Sequence, residues 1–173
     1  MILATHAIVG AVFGRFFPKS PLLAFLAGFI SHFLIDAIPH WGYPLKSFTR
    51  DKENPKDLMR ADILINKSFL SDLFLITIDF IAGIVLGLYI FEQGPNAFNL
   101  SILLAALGGM LPDALQFIYF KTRIEPFKTL HRFHVWIQRN GENEILQDNH
   151  FKGFLSQASF AAAFVLIAKF IIR

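Results

Sequence analysis

The stretch Pro21-Leu22-Leu23-Ala24-Phe25-Leu26-Ala27-Gly28-Phe29-Ile30-Ser31-His32-Phe33-Leu34-Ile35-Asp36-Ala37-Ile38-Pro39-His40 decides how this chain folds. Residues 21–30 carry no charge. As a helix, an apolar run of ~20 residues is long enough to cross the hydrocarbon core of a bilayer. Its second half nevertheless holds His32, Asp36 and His40 at steps of four, which is one stripe of a helix. Such groups are costly to bury unless they pair with each other or hold a metal. Histidine and carboxylate together are ligand chemistry for zinc or a similar divalent ion.

The rest of the chain suits that surrounding. Of 173 residues, 54% are hydrophobic and 17% charged, against about 25% charged in a typical soluble protein. Mean hydropathy is +0.51. There is no cysteine, which excludes disulfides and thiolate metal sites, so a metal would need nitrogen and oxygen ligands. The net charge of +3 and a pI near 9.3 do not point to nucleic acid, because the basic residues gather between apolar segments. That is the pattern of cytoplasmic loops in a membrane protein. The N-terminus lacks a basic stretch and a small-residue cleavage site, so the first apolar segment is expected to be retained.

Five apolar segments, roughly 2–17, 21–39, 70–91, 98–120 and 153–172, predict an all-α, polytopic membrane protein built as one domain of about five spans. The first is short and suits partial insertion. Segment 41–69 carries Lys46, Arg50, Lys52, Lys56, Arg60 and Lys67, and segment 121–152 carries Lys121, Arg123, Lys128, Arg132, Arg139 and Lys152. The connection near Glu92 to Asn96 has no Lys or Arg. These asymmetries put both basic segments and the N-terminus on the cytoplasmic side of a cell membrane. The mixture from Asp57 to Phe69 is expected to be an interfacial helix.

A weak repeat runs through the chain. His6 to Gly14 aligns with Asp79 to Gly87, and Leu22 to Gly28 aligns with Leu103 to Gly109. These registers set His6 opposite Asp79 and His32 opposite Asp113, as in a parallel repeat of two-helix units. At about 1.5 Å per residue, His6, His32, Asp36, His40 and Asp113 fall in the cytoplasmic half of their segments. Asp79 lies midway along the third. His131 and His134 share a helix face in the second basic segment.

The candidate metal ligands are therefore His6, His32, Asp36, His40, Asp79, Asp113, His131 and His134. Pro112 is expected to kink its helix and to free a backbone carbonyl for the site. Gln116 and Gln157 are candidates to support the ligands, and His150 is expected to be solvated. So many donors exceed one tetrahedral zinc. They suit one or two divalent ions, zinc being the expected metal, with a pair lying about 3.5–4 Å apart. Asp36 or Asp79 would bridge or orient them as catalytic carboxylates. Lys128, Arg132 and Arg139 form a basic loop suited to an anionic headgroup. No HExxH helix, Gly-rich phosphate loop or Ser-His-Asp array is present.

Thr5-His6, the His32-to-His40 run, Gly109-Met110-Leu111-Pro112-Asp113 and His131-Arg132-Phe133-His134 together resemble the YdjM-like membrane-bound metal-dependent hydrolases. His32 to His40 also looks like a metal-binding element of zinc-dependent phospholipase C. Gln116 stands where the YdjM-like group tends to place a histidine. The resemblance implies His32 and Asp36 as metal ligands and His40 as a possible third. It also implies water attacking a phosphoester or ester of a lipid-like substrate at the cytoplasmic face. Two other functions use the same residues: a divalent-cation or proton transporter, and a non-catalytic scaffold with a structural metal.

Overall fold

A computed structural model describes residues 1–91, 99–138 and 149–171. Among these, six α-helices dominate: α1 (Leu3–Phe16), α2 (Pro21–Asp36), α3 (Lys67–Phe91), α4 (Leu100–Thr122), α5 (Phe127–Gln138) and α6 (His150–Ile171). Two short strands, β1 (Phe48–Thr49) and β2 (Asp62–Ile63), pair antiparallel between α2 and α3. A 3-10 turn, Leu58–Arg60, precedes β2. The connection near Glu92 to Asn96, and Arg139, lie outside the described residues.

α1 and α4 form the centre. α1 packs against α2, α3, α4 and α6, and α4 packs against α1, α2, α3 and α5. Leu3, Ala7, Ala11 and Val12 of α1 meet Ile102, Ala106 and Met110 of α4 in the principal core. Small residues permit the close approach. A Cβ added at Gly28 of α2 would lie 2.0 Å from the Ala105 carbonyl oxygen of α4, and one at Gly109 would lie 2.5 Å from the His6 carbonyl oxygen. Backbone-to-backbone packing over small residues is a recurrent way for helices to associate in lipid. Here it brings the ionisable groups of α1, α2 and α4 within reach of one another.

The outer helices are different. α3, α4 and α6 have the length and apolar composition to cross a membrane. Leu70, Phe74 and Ile81 of α3, and Phe151, Leu166 and Phe170 of α6, are each more than half exposed. An apolar perimeter of that kind is compatible with hydrocarbon around it. The expectation of five spans is narrowed on this point. α1 has 14 residues and α2 has 16, about 21 and 24 Å of helix, short of a ~30 Å core. α1 is instead enclosed by its neighbours.

Two local expectations are corrected. Residues 57–69 are not an interfacial helix. They make the 3-10 turn and β2, and Asn66 then caps α3 by accepting from the Ser68 and Phe69 amides. The turn is held from outside: the Arg123 guanidinium donates to the Met59 and Ala61 carbonyls at 2.9 and 2.7 Å, and Tyr119 Oη donates to the Met59 carbonyl at 2.9 Å. Arg123 is the left-handed C-cap of α4, with φ 58°, which aims its side chain at this turn. The sequence repeat, in turn, is not expressed as two-fold packing. α1 packs on α4, but its counterpart, α3 on α2, is not a packed pair. Glycines at matching repeat positions serve different partners: Gly10 meets α4 while Gly83 meets α1.

Candidate metal centre

α1 begins without a side-chain cap of its own, and helix starts leave backbone amides to be satisfied. Three distant side chains take them. Gln157 Oε1 accepts from the Ile2 amide at 3.0 Å, Tyr43 Oη from the Leu3 amide at 2.9 Å, and Asp79 Oδ2 from the Ala4 amide at 2.9 Å. Tyr43 also donates to Asp79. A carboxylate at a helix N-terminus is favoured by the helix dipole as well. These contacts tie the first turn of α1, and with it His6, to α3, α6 and the segment that follows α2.

Asp36 lies at the end of α2 with a fully buried side chain. Its two oxygens divide the surrounding groups. Oδ1 has His6 Nε2 at 3.2 Å, His40 Nε2 at 3.7 Å and the Met1 amino group at 3.0 Å. Oδ2 has His134 Nε2 at 2.8 Å, His32 Nε2 at 3.4 Å and Gln138 Nε2 at 3.0 Å. Asp113 Oδ1 lies 3.7 Å from His32 Nε2 on the other side. Two triads, His6–His32–Asp36 and His32–Asp113–His134, each have ligand atoms within 4.8 Å of one another.

The donor set fits a divalent ion. Nitrogen and oxygen ligands about 2.0–2.1 Å from a tetrahedral zinc stand about 3.3–3.5 Å apart, close to the spacings around Asp36. Ring orientation agrees. His32 Nδ1 donates to the Gly109 carbonyl at 2.7 Å and His40 Nδ1 donates to the Ile38 carbonyl at 2.7 Å. In both rings the second nitrogen, Nε2, is turned toward Asp36. Anchoring one ring nitrogen on a carbonyl is the usual support of a ligating histidine. His6 stacks on His32 with ring centroids 3.9 Å apart, and it is the one described residue whose buried side-chain nitrogens, Nδ1 and Nε2, both lack a hydrogen-bond partner. His6 Nε2 is near Asp36 without the geometry of a hydrogen bond. Two orphaned polar atoms in a buried site are costly, and a metal ligand needs such a nitrogen. These buried groups can hold a metal ion.

Asp113 is the opening of the site. Its side chain is 28% exposed, while those of His6, His32 and Asp36 are fully buried. Pro112 does not interrupt α4. The carbonyl that serves the site is that of Gly109, one turn earlier, through His32 rather than as a ligand.

The structure gathers five of the eight sequence candidates, His6, His32, Asp36, Asp113 and His134, and brings His40 to the edge. Two others go elsewhere. Asp79 holds the start of α1 and belongs to neither triad. His131 faces the 3-10 turn: its Nε2 donates to the Leu58 carbonyl at 3.3 Å, its Nδ1 accepts from Gln116 at 3.2 Å, and its ring stacks on Tyr119 at 4.5 Å. Both ring nitrogens are committed. Burial pushes His131 down to about 4, against a weaker upward pull from the Leu58 carbonyl. Gln116 thus serves His131, and Gln157 serves the start of α1 and the Trp41 carbonyl. His150 accepts from the Trp41 indole at 3.2 Å. Lys128 and Arg132 are exposed on α5.

Gln138 was not expected in the site. It lies four residues after His134, so the i, i+4 spacing on α5 was a usable signal. Tyr43 had none, because only the fold brings it to Asp79. Compared with protein-family models, curated proteins and solved structures, the chain matches none.

Proposed function

We propose that this protein is a multi-pass membrane hydrolase in which one or two divalent ions, zinc by ligand type, are held near the cytoplasmic surface. On this reading the substrate is a phosphoester or ester of a lipid-like molecule. The observation that carries it is the convergence of His6, His32, His134 and Asp113 about Asp36, with both nitrogens of His6 unpartnered. Donors lie around both Asp36 oxygens and the two triads share His32, a ligand set for one ion or two. An ion at one triad would draw on His6, His32 and Asp36 and an ion at the other on His32, Asp113 and His134, with His40 at the edge. Asp36, rather than Asp79, would then be the central carboxylate of the site. A divalent ion held there supplies Lewis acidity and a water of lowered pKa.

The chain's own residues do the rest. Gly109 and Ile38 fix the histidine rings through their carbonyls, and the packing around Asp36 excludes bulk water. Asp113, the exposed member, lies where a substrate would reach the site and would help hold His32 and an ion there. A catalytic ion would also need a coordination position left to water, whereas a structural one would be closed by protein ligands. A transport pathway would need polar groups continuing to the far face, whereas the triads lie together at the end of the bundle that carries the basic segments. The resemblance to YdjM-like hydrolases and the cytoplasmic placement of the N-terminus belong to the same proposal.

The test is metal content by mass spectrometry on protein purified in detergent without chelator, beside His32→Ala and Asp36→Ala. Near-stoichiometric zinc, manganese or iron, lost in both variants, supports the site and leads to a screen of lipid phosphoesters. Folded protein that binds no metal after reloading would refute the reading.

A further inference from the structure

A second concave site lies outside the metal centre. The turn at 53–59 and α5 enclose a groove of about 680 Å³, lined by Glu53, Lys56, Asp57, Met59, Arg132 and Trp136 among others. Arg132 and Trp136 each stand two residues from His134, roughly 160° around the helix. The groove and the metal centre therefore use opposite faces of α5. Its far wall is fixed, because Arg123 and Tyr119 both hold the Met59 carbonyl.

Lys56 and Arg132 share the groove with two carboxylates, Glu53 and Asp57, but the pairing within it is uneven. Asp57 is engaged by Arg60 at 3.4 Å and by the Met59 amide at 3.0 Å. Among the described residues, no carboxylate makes an ion pair with Lys56 or Arg132. Two cations thus face one uncommitted carboxylate, Glu53. The rim is aromatic: Trp136 is 64% exposed and stacks on Phe133, 43% exposed, at 5.9 Å. α5 starts five residues after α4 ends, and α4 is a helix of spanning length. Helix α5 packs across the end of the bundle, one short connection from a helix of spanning length; in a membrane protein that is the headgroup region, where tryptophan and basic side chains concentrate.

We propose that this groove binds the headgroup of an anionic phospholipid, apart from the reacting site. Lys56 and Arg132 hold the phosphate oxygens, and Trp136 lies along the lipid where the headgroup meets the acyl chains. The assignment shares the membrane placement given under Proposed function but does not need a metal.

Native mass spectrometry of the full chain, delipidated in detergent, tests it. The probes are phosphatidylglycerol and phosphatidylcholine with identical acyl chains, with inorganic phosphate as competitor. The wild-type protein is expected to retain phosphatidylglycerol preferentially, and the Lys56→Ala/Arg132→Ala double variant to lose about tenfold or more of that retention. Arg15→Ala, an exposed basic residue at the end of α1, should change nothing, and Arg132→Lys should keep most of the preference. Equal retention of both lipids, undiminished retention in the double variant, or full displacement by inorganic phosphate would overturn the proposal. Metal content measured on the same samples separates the two readings. Lost lipid preference with metal retained supports the groove, and metal lost with the lipid would overturn a headgroup site separate from the metal site. An intact lipid preference in protein that never binds metal would sink the hydrolase reading alone.

Discussion

His134 Nε2 and Asp36 Oδ2 stand 2.8 Å apart, joining helices whose contacting residues are separated by 98 positions in the chain. Through this contact α5 closes over the end of α2. Gln138, one turn further along α5, adds a second contact at 3.0 Å to the same oxygen. Gln138→Ala is expected to leave the fold intact and to weaken metal binding about 10–100-fold, as for other groups that orient a ligating carboxylate. His134→Ala removes a donor and should weaken binding more. Competition titrations against a chelator of known affinity measure both. A Gln138→Ala protein with wild-type affinity would remove Gln138 from the site.

Asp36 and Asp79 should separate cleanly. Asp36→Asn is expected to abolish bound metal. Asp79→Asn is expected to keep it and to cost about 1–3 kcal/mol of stability through the weakened hold on the Ala4 amide and Tyr43. Metal content and thermal melting on both variants decide the matter. Loss of metal in Asp79→Asn with an unchanged melting temperature would restore Asp79 as a ligand.

The α2–α4 contact admits no side chain at Gly28. A methyl there would stand 2.0 Å from the Ala105 carbonyl oxygen, and backbone cannot yield as a flexible side chain would. Gly28→Ala is expected to cost roughly 1–3 kcal/mol or more, and to reduce metal binding by moving His32, one turn away, from Gly109. Ala27→Gly, on a more exposed position of the same helix, is the control and should leave metal content unchanged.

Acid should loosen α5. His131 titrates near 4 in the folded protein, below the ordinary 6.5, mainly because it is buried. Between those values the unfolded chain binds a proton that the folded one does not, so stability falls as pH drops from about 6.5 toward 4. His131→Gln keeps a hydrogen-bonding side chain that does not titrate. Its melting temperature should fall less than that of the wild type between about pH 7 and pH 4.5. Identical pH profiles would rule out His131 as the responsive group.

Much of the site was legible because it obeys helical periodicity. His32 and Asp36 share a stripe, and ionisable groups in an apolar helix need partners. The same logic misled for His131. The i, i+3 spacing to His134 places both on one side of α5, but the ring of His131 reaches Leu58 and Gln116 while that of His134 reaches Asp36. Side chains 60° apart on a helix can meet different neighbours. Asp79 misled for another reason: a carboxylate in an apolar helix reads the same whether it serves an ion or the free amides of another helix.

Composition and hydrophobic period by themselves determined an all-α chain with long apolar helices, nitrogen and oxygen as the available metal donors, and His32 with Asp36 at the centre. These properties follow from which residues lie within four positions of each other. The tertiary structure decided which of the other candidates join them, keeping His6, Asp113 and His134, adding Gln138 and sending Asp79 and His131 elsewhere, and it turned Arg132 to the other face of α5. Those outcomes depend on close approach at Gly28 and Gly109 and on satisfying the amides at the start of α1, and both are settled between segments distant in sequence.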